Sequence, residues 1–118
     1  MSSLYAQFVK ETVNWETLED EDSFATYEIQ KIGTVSCLKI IEMYIAPIAR
    51  GKNKWKELVE KLENIAKSED CKTISAQISK STSEFTQQRT AHLCRLVEAS
   101  LSYEDIYSII YSRDVKYE

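Results

Sequence analysis

The sequence predicts an all-α, single-domain bundle of five or six helices, and three observations carry that prediction. Two Gly and one Pro in 118 residues leave few turn formers. The segment from Lys54 to Lys67 carries Trp55, Leu58, Val59, Leu62, Ile65 and Ala66 at helical spacing, one clean apolar stripe. The stretch Thr34 to Ile48, TVSCLKIIEMYIAPI, is the most apolar in the chain. Its apolar residues surround a helical wheel, with only Lys39 and Glu42 charged, so residues 34–46 are expected to form a central buried helix that the others cover. The alternative is an α+β fold with a small hairpin near residues 26–40.

The remaining elements are placed around that hub. Ser2 or Ser3 caps a first helix with Leu4, Phe8, Val9 and Val13 on one face. An acidic linker reaches Asp20 or Asp22, before a second helix from Phe24 on the face Phe24, Tyr27, Lys31, Ile32 and Val35. Residues 26–30 also read as strand-like alternation, but the sequence offers no second convincing strand to pair with them, so helix is favoured. Gly33 ends or kinks that helix, or turns the alternative hairpin. Pro47 and Gly51 stop the hub. After the 54–67 helix, Ile74, Ile78, Phe85, Ala91 or His92, and Leu96 keep a helical period, read as one long helix that is irregular near Ser81. Ser102 opens a last helix with Ile106, Ile109 and Ile110 inward and Tyr103, Tyr107 and Tyr111 in a column. A frayed tail is expected over about 114–118.

At this length the chain forms one domain, 1–118. The first fifteen residues carry neither a basic nor an apolar leader pattern, so cytoplasmic residence and no membrane are expected. Cys37, Cys71 and Cys94 are spaced by 34 and 23 residues, which matches no metal-ligand pattern. His92 is the only histidine and reads as a partly buried structural residue. With Gly33 and Gly51 the only glycines, no Gly-rich phosphate loop is expected, and no carboxylate pair is set in a desolvating pocket. Catalytic, cofactor-binding and metal-ligating residues are therefore all expected to be absent, and the protein is not expected to be an enzyme.

Charge distribution supplies the functional expectation. Residues 11–28 hold seven acidic side chains and no Lys or Arg, whereas residues 31–56 set six basic side chains against Glu42. The two segments either face each other or form surfaces. The expected function is a non-catalytic protein-binding module, an inhibitor or immunity-like antagonist or a helical subunit. It would bind a larger basic, nucleic-acid-handling protein through Glu16, Glu19, Asp20, Glu21 and Asp22, with Tyr103, Tyr107 and Tyr111 as interface aromatics. The runner-up is a nucleic-acid-associated regulator touching phosphates through Arg50, Lys52, Lys54 and Lys56 around Trp55. Homo-oligomers are compatible with either.

Overall fold

The computed structural model describes residues 3–117. Ser3 accepts the Ala6 amide at 3.0 Å and starts helix α1 (Leu4–Val13), which ends where Asn14 turns left-handed at φ 59°. Ser2 lies outside the described residues. Strands β1 (Glu16–Glu19), β2 (Ser23–Ile32) and β3 (Val35–Ile45) follow as antiparallel neighbours. Helix α2 (Lys54–Ser68) then crosses to β4 (Thr73–Ser79), and helix α3 (Glu84–Leu96) leads to the antiparallel pair β5 (Ser100–Glu104) and β6 (Ser108–Asp114). The sheet order is β1-β2-β3-β4-β6-β5, and β3 with β4 is its parallel pair. Parallel neighbours need a crossover, and α2 is that crossover.

The all-α expectation is corrected here: the fold is α+β, a six-stranded mixed sheet with three helices. The expected hub helix is β3, an interior strand. Only Leu38 and Ile40 are buried along β3, on the face toward α2, but Cys37 and Ile41 flank them and leave Lys39 the one break in an apolar run, which periodicity alone cannot separate from a buried helix. The missing partner for the 26–30 alternation was this same run. Ile32 and Val35 pair across Gly33, whose φ of +65° suits the turn, so the alternative hairpin exists and extends over residues 23–45. The expected long helix over 72–100 divides into β4 and α3, and Ser83 caps α3 by accepting the Thr86 amide at 3.2 Å. The expected last helix is the β5–β6 hairpin, where Asp105 accepts the amides of Tyr107 and Ser108 at 2.7 and 2.6 Å and so makes a turn in place of a cap.

The core lies between the sheet and α2, where Ala25, Leu38, Ile40, Ile74 and Val115 meet Leu62 and Ala66. The stripe read on α2 is correct: Leu58, Leu62 and Ala66 are its buried residues. Helix α1 packs on the opposite face through Tyr5, whose ring lies 5.5 Å from that of Phe24. The end of the chain is anchored where fraying was expected. Val115 is buried and Tyr117 donates to the Cys71 carbonyl at 2.6 Å, while Glu118 lies outside the described residues. Among the described residues no helix is long and apolar enough to cross a membrane.

Candidate functional site

The parallel pair comes apart along its length. Strands β3 and β4 are in register only from Cys37 opposite Thr73 to Ile40 opposite Ala76. Beyond that point β3 runs on to Ile45 against β2 alone, and β4 runs on to Ser79 against β6 alone. The sheet thus splits into a wedge at the carboxyl ends of its parallel strands, where open α/β sheets place their ligands. At the split β3 carries an irregularity: Thr26 pairs with Glu42 and Tyr27 with Ile40, so Ile41 is the extra residue of a bulge. Past the bulge the inner edge of β3 has no strand partner.

The loop leaving β3 closes one side of the wedge. Pro47–Ala49 make a single 3₁₀ turn, and Arg50 donates from Nε to the Ile45 carbonyl at 2.9 Å while its guanidinium lies 5.7 Å from the Tyr44 ring centre. Gly51 at φ 81° and Asn53 at φ 57° then bend the backbone into α2. Among the described residues the amides of Gly51 through Trp55 have no hydrogen-bond acceptor. Unpaired amides at a helix start attract anions. Lys52 and Lys56 have no acidic partner among the described residues, Lys56 lying 5.8 Å from the Trp55 ring centre. No Gly-rich motif was needed: one glycine and a left-handed asparagine bend this loop.

The acidic run meets this loop. Lys54 Nζ lies 2.8 Å from Asp20 and 3.2 Å from Asp22, and the Asp22 carbonyl accepts the Ala46 amide at 2.8 Å. The ammonium of Lys54, together with Ser23 and the Asp22 amide, holds the Asp20 carboxyl far below the usual carboxylate range, and the same contact raises Lys54. Of the expected partner-binding acids, Glu16 pairs with Lys10, and Glu19 accepts Ser3 Oγ at 3.0 Å. Glu21 is exposed with no partner among the described residues. The structure does not bring the expected tyrosine column together: Tyr103 is on β5, Tyr107 in the turn and Tyr111 on β6.

Glu42 stands one residue past the bulge, on the face of β3 that meets α1. Its Oε1 accepts the Thr26 hydroxyl at 3.0 Å and a short bond from the Tyr5 hydroxyl. Its Oε2 has no partner among the described residues. The bond to Glu42, then burial and the carboxylate's charge, push the Tyr5 phenol up to about 12. Phe24 lies 6.0 Å from Tyr44, completing an aromatic wall beside the carboxylate. Sequence reasoning noted Glu42 only as a charge inside an apolar run and passed over Tyr5. The available signal was Lys39 and Glu42 three apart in a strand, a spacing that shares a face only across a bulge. His92, the expected part-buried histidine, is exposed on α3. Among the described residues no group of three or more His, Cys, Asp or Glu could hold a metal ion.

No protein-family model matches the sequence, and neither does any curated protein. Solved structures do match the fold. Nourseothricin acetyltransferase superposes with a TM-score of 0.66 at 14% identity, over 82% of this chain and 59% of that one. A protein from Desulfovibrio desulfuricans described as an acetyltransferase of the GNAT family gives 0.68 at 14% identity, over 95% of this chain and 76% of that one. The NatC complex bound to Gag peptide and CoA gives 0.64 at 12% identity, over 80% and 61%. This chain spans about three fifths of the length of nourseothricin acetyltransferase. The shared fold overturns the expectation of an all-helical inhibitor or immunity-like module. What the likeness establishes is that the six-stranded split sheet with its crossover helix is the fold of GNAT acetyltransferases.

Proposed function

We propose that this protein is an acyltransferase that moves an acyl group from a CoA thioester to an amine. The observation that carries the proposal is the wedge between β3 and β4, bounded by a loop whose amides from Gly51 to Trp55 are unpaired among the described residues. A diphosphate fits such a loop, with Lys52 and Lys56 as its cations. An extended amide-bearing chain fits the unpaired edge of β3 past Ile40, as strands accept extended ligands by backbone hydrogen bonds. CoA joins these two features in one molecule, and its thioester supplies the activated acyl group. The fold shared with acetyltransferases, some solved with CoA, supports the same reading.

The chain's own groups divide the remaining work. Glu42 is the carboxylate on the limb of the wedge, and its unpaired Oε2 takes a proton from the acceptor ammonium, so that the neutral nitrogen attacks the thioester carbon. The carbon–nitrogen bond forms, the carbon–sulfur bond breaks, and the thiolate leaves to take up a proton. Tyr44 and Tyr5 provide aromatic surface beside that carboxylate for a cation. Three unpaired cysteines support cytoplasmic residence as part of this reading. Isothermal calorimetry with CoA is the test: saturable binding that weakens in Lys52→Glu supports the reading, and no binding at millimolar CoA overturns it.

A further inference from the structure

Glu42 lies just past the point where β3 and β4 part, and its carboxylate is held from one side only. Both of its hydroxyl partners reach the same oxygen. Thr26 Oγ1 comes from the neighbouring strand β2, in register opposite Glu42, and Tyr5 comes from α1, a separate element 37 residues away in sequence. Thr26 has no solvent exposure, and the Tyr5 ring is fixed by Phe24, itself against Tyr44. Two donors on Oε1, one from the sheet and one from the helix, fix the carboxylate plane more tightly than either alone, because each bond removes rotation the other leaves open. Everything the described residues offer to Glu42 is spent on Oε1, and Oε2 remains for an incoming donor.

We propose that Tyr5 and Thr26 are positioning residues that clamp Oε1 of Glu42, leaving Oε2 for a primary ammonium, so that the docking of α1 completes the acceptor side of the wedge. The inference rests on the acyl-transfer reading for its catalytic meaning, while the clamp stands on the hydrogen bonds alone. It makes α1 part of the site. The clamp is cooperative: loosening Thr26 lets the carboxylate turn and weakens the Tyr5 bond, although Thr26 and Tyr5 do not touch in any hydrogen bond.

The phenol of Tyr5 reports this without any substrate. Its titration is followed by carbon-13 tyrosine NMR, with the Tyr5 signal assigned by its loss in Tyr5→Phe. In the unmodified protein the midpoint is expected near 12, and in Glu42→Gln it falls toward 10, the ordinary phenol value. Thr26→Val, which keeps the buried shape and removes the hydroxyl, is expected to lower the midpoint as well, and Thr26→Ser to restore it. A midpoint unchanged in Thr26→Val but lowered in Glu42→Gln overturns the clamp. Turnover is read separately, as thiol release from acetyl-CoA with n-butylamine as acceptor. There Thr26→Val and Tyr5→Phe each lose about tenfold in kcat/KM, the scale of one hydrogen bond to a charged group, Thr26→Ser recovers it, and the double variant loses less than the product of the two. A multiplicative double loss also overturns the clamp. CoA binding by calorimetry in the unmodified protein judges the acyl-donor reading independently, so failure of one is distinct from failure of the other.

Discussion

The two limbs of the split sheet treat their polar groups differently. On the limb of β4, β6 and β5 several charged and polar groups are closed upon one another. Arg113 meets both oxygens of Glu63 at 3.0 Å, Glu63 also accepts the Lys116 amide at 3.2 Å, and Asp105 takes two turn amides. The hydroxyls between β4 and α3 are spent likewise: Ser79 and Ser81 share a bond, Thr82 donates to the Ser79 carbonyl, and Ser83 caps the helix. On the limb of β1, β2 and β3 the bonding stops short: loop amides and Glu42 Oε2 lack partners among the described residues. The amides of Gly51 to Asn53 lie in an exposed loop open to water, and under the acyl-transfer proposal a ligand's phosphate oxygens would replace that water. The first limb is where stability is expected to be most sensitive to substitution, and the second is where the proposed ligand would bind.

Perturbing each limb should therefore be read in a different observable. The largest loss of stability is expected on the closed limb. Arg113→Met leaves Glu63, with a side chain 15% exposed, without its counter-charge, and should lower unfolding free energy by about 3 kcal/mol in urea titrations. The same pair sets an acid limit. Arg113, first, and the Lys116 amide hold Glu63 below its ordinary 4.5, so its contribution is complete above that value and lost as pH falls through the lower folded value. Thermal unfolding followed from pH 6 to pH 2 should show this loss, and Arg113→Met should flatten it.

At the other extreme of pH the open limb has its own signature. Tyr5 titrates near 12 in the fold against 10 when unfolded, so its contribution is complete below 10 and disappears as pH rises through 12. Tyr5→Phe should remove that part of the alkaline loss. The smallest effect is expected at Thr17, opposite Thr26 on β1, whose buried hydroxyl lacks a partner among the described residues. Thr17→Val removes that group at nearly constant shape and should stabilise by up to about 1 kcal/mol in the same urea titration. A loss there instead would show that the hydroxyl is bonded in solution.

Much of the helical content was legible from particular residues. Ser3 capped α1, and the stripe of Leu58, Leu62 and Ala66 placed α2, because amphipathic helices declare one face. The sheet was hidden for the opposite reason: Leu38, Ile40 and Ile41 sit in an interior strand, so the apolar run shows no clean period of two, and the bulge at Ile41 breaks what alternation there is. The short strand β1 and the turn at Asp105 used residues that equally suit caps. Of the site, the charge meeting between Asp20, Asp22 and Lys54 was foreseen as one of two alternatives, since opposite runs attract whatever the fold. Glu42 with Tyr5 was not, because residues 37 apart are joined only by tertiary structure.

The proposed binding of CoA's diphosphate-bearing chain at the wedge between β3 and β4 is open to direct test. Calorimetry with CoA on the unmodified protein and on the Lys52→Glu, Lys56→Glu double variant tests it most directly. Saturable binding that weakens by about tenfold or more in the double variant, the scale of two phosphate-facing cations, is expected, with the unfolding temperature unchanged. Equal affinity in the two proteins, or no binding by either, would contradict it.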